Sequence, residues 1–163
     1  MKKKFSIILG VVIAIATFAY GAGLLSKTDS TERDSNGNIV GSGNLSAFSV
    51  KVGDCLGGQV TDGESVEDFQ GVPCTQSHLY EVFFNGESAL EKYDDAKITD
   101  EAEIMCASAF KEYVGIPVDD SQLTYNYLLP SPESWLTGDR SISCLANTLD
   151  MTPLTASVKN SGK

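Results

Sequence analysis

The chain begins with a long apolar run and then turns polar. After Lys2, Lys3 and Lys4, the segment FSIILGVVIAIATFAYGAGLL from Phe5 to Leu25 carries no charge. Coiled as a helix at about 1.5 Å per residue, its roughly 21 residues span roughly 31 Å, the thickness of a bilayer's hydrocarbon core. From Ser26 to Ser46 the sequence is mostly Ser, Thr, Asn, Asp and Gly with a single Ile39-Val40 pair. That is too little apolar surface to offset the entropy of ordering, so residues 26–46 read as a flexible stalk.

Periodic patterns start at Ala47. AFSVKVGDCL sets Phe48, Val50 and Val52 against polar neighbours and predicts a strand ending at the Gly53-Asp54 turn. HLYEVFF predicts a second strand, with Tyr80, Val82 and Phe84 on one face, Leu79, Glu81 and Phe83 on the other, and Asn85-Gly86 as its stop. Over Asp100 to Val114 the positions Ala102, Met105, Cys106, Ala109, Phe110 and Tyr113 recur at helical spacing. Thr99 or Asp100 is placed to cap this helix, and Gly115 and Pro117 to end it. LTYNYLL (123–129) and RSISCLANT (140–148) predict two further strands, separated by PSPESWLTGDR, a turn or single helical turn. PLTASV adds an edge strand. The expected architecture is α+β, a small antiparallel sheet with one main helix, spanning 47–158 and followed by a tail, 159–163.

The flanks of the apolar run decide where this domain lives. Three lysines before it keep the N-terminus cytoplasmic under the positive-inside rule, so the rest of the chain is extracytoplasmic on a single-pass anchor. The competing reading is a signal peptide, since Ala19 and Gly21 have A-x-A-like spacing; cleavage there would make the protein secreted. The run exceeds the 7 to 15 residues of a typical signal-peptide core, which favours the anchor. No cysteine stands near its end to carry a lipid.

Export changes the reading of the four cysteines, Cys55, Cys74, Cys106 and Cys144. In an oxidising compartment an even number in a small module predicts two disulfides. Three pairings are open; Cys55 with Cys74 and Cys106 with Cys144 closes the shortest loops and is the expected one. Setting the three N-terminal lysines aside leaves 9 basic against 22 acidic residues, a formal −13 outside the membrane. Nucleic acid is a poor partner for such a surface, and so is anionic lipid, leaving the N-terminal helix as the membrane connection.

Cys74, His78 and Glu81 are the residue types of a metal site or a thiol enzyme. Zinc needs such ligands to converge, but Pro73 puts Cys74 in a turn and LYEVFF is strand-forming, and the chain has no second histidine. A thiol nucleophile with His78 as base needs an unpaired cysteine, and a disulfide leaves Cys74 none to offer. No catalytic residue, metal or cofactor is therefore expected. His78 is expected instead to tie the Cys74 turn to the next strand, with Glu81 a candidate partner. Trp135, among prolines and followed by Gly138, Asp139 and Arg140, is either an aromatic platform for a sugar or peptide or a packed corner pinned by Asp139-Arg140. The packed corner is the expected state.

VKVGDCL, VPCTQSHLYEVF, the mid-helix Cys106 and PSPESWLTGDRSISC, in that order, resemble the septum formation family, membrane-anchored or secreted proteins typical of actinobacteria. The resemblance covers nearly the whole exported module and implies paired cysteines at 55, 74, 106 and 144, with no catalytic residue or cofactor. His78, Trp135, Gly138 and Arg140 fall on recurring positions without a known role. The expected function is a non-enzymatic binding or scaffolding domain at the cell envelope, with an envelope protein or cell-wall component as partner and septum formation in cell division as the implied process. The alternatives are a thiol- or metal-dependent enzyme using Cys74 and His78, and a cell-wall ligand sensor using the Trp135 turn.

Overall fold

The computed structural model describes residues 29–58 and 67–163. The expected membrane span, 1–25, lies outside them, and no helix among the described residues is long and apolar enough to cross a membrane. They form an α+β fold. β3 (Gly43–Ser46), β4 (Cys55–Gly57), β5 (Asp68–Val72), β6 (Tyr80–Glu87), β7 (Leu123–Leu128) and β8 (Ser141–Thr148) make one antiparallel sheet in the order β3-β5-β4-β6-β8-β7.

Helix α1 (Asp95–Val114) packs on one face of the sheet through Ile98, Ala102, Cys106, Phe110, Tyr113 and Val114. It starts at Asp95 rather than Asp100, because Asp94 is the cap: its carboxylate accepts the Lys97 amide at 3.3 Å. Thr99 instead bonds back to the Asp95 carbonyl. Gly115 ends the helix as expected, at φ 102°, a left-handed backbone that an L side chain rarely adopts. The sheet's two faces carry separate clusters. Along β8, Cys144 and Ala146 meet Phe83, Phe110 and Val114 on the helix side, whereas Leu145 meets Leu56, Phe69 and Tyr80 on the other.

Two predicted strands differ in detail. AFSVKVGDCL is not one strand: Ala47–Ser49 is a 3-10 turn capped by Ser46, and only Cys55–Gly57 pairs. Between them the Asp54 amide and carboxylate both bond Lys51, closing a turn that leaves Phe48 and Val52 exposed and buries Val50. β6 runs through Asn85-Gly86 to Glu87 instead of stopping there. A side chain at Gly86 would lie 2.8 Å from the Phe84 ring and 3.2 Å from Met105 Sδ, so glycine here serves close packing rather than a turn. The ladder also shifts register between Val82 and Phe84, which brings Phe83 and Phe84 into the same cluster and breaks the predicted alternation.

The largest correction concerns the stalk. Residues 29–46 are structured: β1 (Glu32–Arg33) and β2 (Ile39–Gly41) form a hairpin that packs on β5, and β3 is an edge of the main sheet. Ile39 and Leu45 are buried in the cluster opposite α1. Polar contacts fix the rest, chiefly Arg33, whose guanidinium grips the buried Asp54 carboxylate with bonds of 2.6 and 2.7 Å. Arg33→Ala would strip two bonds from that buried carboxylate, which would keep the one from the Lys51 amide. The expected loss is about 2 kcal/mol in urea unfolding, discounted because Arg33 is partly exposed. A change under about 0.5 kcal/mol would mean the pair does not hold the hairpin.

The C-terminal end is also part of the fold. PLTASV forms a single bridge rather than an edge strand, with reciprocal amide bonds between His78 and Leu154 of 3.0 and 2.8 Å. Beyond it, the expected tail docks on the end of α1: the Asn160 amide donates to the Tyr113 carbonyl and the Gly162 amide to the Val114 carbonyl. These bonds satisfy carbonyls that a helix end leaves open. The folded unit therefore extends beyond 47–158 at both ends, taking in residues 29–46 and 159–162.

Candidate functional site

The cysteines pair in the expected way. Cys55 on β4 is bonded to Cys74 in the turn before β6, and Cys106 on α1 to Cys144 on β8. The second bond joins helix to sheet with both sulfurs fully buried. The first closes the turn that carries the candidate chemistry.

Around it, the three residues singled out by sequence do not converge. The atoms within 4.8 Å of one another belong to Cys55, Cys74 and Glu81, and both sulfurs are spent in the disulfide. His78 stands apart, its Nδ1 2.7 Å from the Gln76 carbonyl. Since a carbonyl oxygen only accepts, Nδ1 carries the proton and donates, which ties the ring to the Cys74 turn as expected. Glu81 is not its partner. The other ring nitrogen, Nε2, is buried without a hydrogen bond.

Glu81 is fully buried on β6, opposite Cys55 of β4 on one side and Ala146 of β8 on the other. Its carboxylate accepts from three donors, each at 2.7 Å: the Tyr113 hydroxyl near the end of α1, the Ser157 hydroxyl and the Val158 amide. Burial, and then the carboxylate it donates to, push the Tyr113 hydroxyl far above the usual phenol range. The Lys159 ammonium lies over the Tyr113 ring, 5.7 Å from its centroid. Glu81 thus gathers strand, helix and C-terminal segment around one buried side chain. Sequence reading missed its partners; the only signal was a tyrosine on a buried helical stripe, whose hydroxyl must find an acceptor.

The Trp135 turn is a packed corner. Ser131 and Ser134 form a reciprocal capping box around helix α2 (Pro132–Leu136). Trp135 is 6% exposed and packs with Ile98, Ala102 and Ile142. The Arg140 guanidinium stacks 3.5 Å from the ring centroid, donating to the Trp135 and Asp139 carbonyls, and Tyr93 meets the ring edge-on at 5.7 Å. Asp139 accepts from the Ser134 hydroxyl and the Ser141 amide. Burial is the largest single influence on its carboxyl and raises it, but these bonds together hold it below its ordinary value. With its face covered, Trp135 offers no platform, and the ligand-sensor reading loses its site.

A shallow cleft of about 250 Å³ lies elsewhere, between the 3-10 turn and the far ends of β6 and β8, lined by Phe48, Val50, Asn85, Glu87, Ser141 and Ser143 among others. Two of its lining residues are joined by the Asn85 side chain donating to the Val50 carbonyl at 2.9 Å.

The family model described as septum formation matches residues 52–163, which hold all four cysteines, Glu81 with its donors and the Trp135 corner. No curated protein and no solved structure matches the chain.

Proposed function

The chain belongs to the septum formation family, and from that premise we propose that it is a non-enzymatic extracytoplasmic domain, held at the cell membrane by Phe5–Leu25, that binds or scaffolds envelope components at the division septum. The observation that carries the reading is the family match across most of the folded unit. Two further features support it. The paired cysteines suit a compartment outside the reducing cytoplasm. The residues that suggested chemistry are used to hold the fold: Cys74 in a disulfide, Glu81 under three donors, Trp135 beneath Arg140. A thiol or metal enzyme on Cys74 and His78 would first have to open the Cys55–Cys74 bond.

The test is to image the full chain, fused at its C-terminus through a linker to a fluorescent protein that matures outside the cytoplasm, in dividing cells depleted of the native copy. Enrichment at septa, with the domain open to added protease in spheroplasts, is the expected result. Uniform labelling of the cell outline would remove the septal role, and protection from protease would remove the topology.

A further inference from the structure

The hairpin that replaces the expected stalk brings the domain close to the end of the apolar run. Asp29 is already fixed to the sheet edge, its carboxylate accepting the Ser46 amide at 2.8 Å and the Ser49 hydroxyl at 2.6 Å. These two bonds hold the Asp29 carboxyl below its ordinary value. Ser30 adds a bond in each direction to the Asn44 backbone, at 2.8 and 2.7 Å. Only Ser26, Lys27 and Thr28 stand between Leu25 and this clamp. Four extended residue steps reach about 14 Å at most. The headgroup region on each side of the hydrocarbon is itself roughly 5 to 7 Å deep. With Leu25 at the hydrocarbon boundary, the clamp cannot stand far above the lipid surface.

Between the clamp's two partners, Ser46 and Ser49, sits Phe48, which is 65% exposed at the tip of the 3-10 turn. Val52, also exposed, follows in the Lys51–Asp54 turn. We propose that the Ala47–Ser49 turn is the membrane-contacting edge of the domain, with Phe48 seated in the interface of the outer leaflet. The proposal rests on the anchored reading of Phe5–Leu25. The occupant is lipid because of the tether's length. The driving force is apolar, since Asp68 pairs opposite Ser46 and the Glu67 carbonyl bonds the Ala47 amide, so acidic residues flank the turn alongside Lys51. An aromatic side chain favours the interface irrespective of headgroup charge. The consequence is a domain held in one orientation, with β7, at the opposite edge of the sheet from β3, free to face other partners.

The test uses the full chain reconstituted in phosphatidylcholine vesicles, alone or with a minority of phosphatidylglycerol. Phe48→Trp and, as a control on the exposed side of α1, Ile104→Trp are compared with the parent, whose buried Trp135 supplies a constant background. The expected result is that emission added by Phe48→Trp is quenched by nitroxide-labelled lipid at least about twofold, equally in both lipid mixtures, and resists aqueous iodide, while Ile104→Trp behaves oppositely. Equal access of iodide to both positions overturns the proposal. Shielding of Phe48→Trp from both quenchers also overturns it, in favour of cover by a second copy or another protein. Quenching that requires phosphatidylglycerol overturns the apolar seat. Should intact mass of envelope-derived protein show that Phe5–Leu25 has been removed, the anchored reading falls, and this proposal with it.

Discussion

Glu81→Ala is expected to cost about 3 to 5 kcal/mol in urea unfolding, the largest loss from any single substitution outside the cysteines. The carboxylate is fully buried, and its removal strands the Tyr113 hydroxyl, the Ser157 hydroxyl and the Val158 amide, two of them on the C-terminal segment. Glu81→Gln keeps the volume but turns an amide group that is half donor toward three donors, so about 2 kcal/mol should still be lost. Tyr113→Phe removes one donor and leaves the carboxylate two, for about 1 kcal/mol. Hydrogen exchange adds a local readout: in Glu81→Gln the Val158 amide should exchange faster than amides in β8. If Glu81→Ala unfolds within about 1 kcal/mol of the parent, the carboxylate is not the pin that the geometry makes it.

The paired substitution of Cys106 and Cys144 by alanine ranks beside it. The bond closes a sequence separation of 38, against 19 for Cys55–Cys74. On the loop-entropy model these correspond to about 4 and about 3 kcal/mol. The buried pair also fills core volume between α1 and β8, so its removal leaves a gap that Cys74, which is partly exposed, would not. Melting should fall by roughly 12 to 16 °C without the Cys106–Cys144 bond and by less without the other. Calorimetry of the two double variants gives the order directly, and a larger fall for the Cys55–Cys74 variant would refute it.

What could be read from sequence was what depends on near neighbours. The stripe on α1, the strand at Ser141–Thr148, the single helical turn at Trp135 and the disulfide pairing all follow from local period, turn chemistry or loop length. What escaped depends on distant partners. The segment 29–46 has little apolar matter, and its order comes from Arg33 on Asp54 and Asp29 on Ser46 and Ser49, contacts between polar residues that no periodicity announces. Glu81 read as a candidate partner for His78, yet its donors lie 32, 76 and 77 positions along the chain. The Trp135 turn was visible as a turn; the cover over its ring was visible only as a neighbouring arginine.

The bonds that span from Glu81 to Ser157 and Val158 also bear on how such a chain reaches its folded state. On the proposed topology, with Phe5–Leu25 held in the membrane and the residues after it emerging in order, the hairpin and Cys55–Cys74 arrive early and that pair could oxidise at once. Glu81 would then wait, charged and hydrated, until some 76 further residues had emerged with its donors. The β6–β8 pairing waits almost as long. Folding is therefore expected to finish only after translocation, in a late and cooperative step limited by long-range contacts. Sequential emergence also favours joining each cysteine to the next one out, which yields the native pairing without reshuffling. A nascent chain arrested before Ser157 should accordingly remain protease-sensitive in its β6 region while already holding its first disulfide.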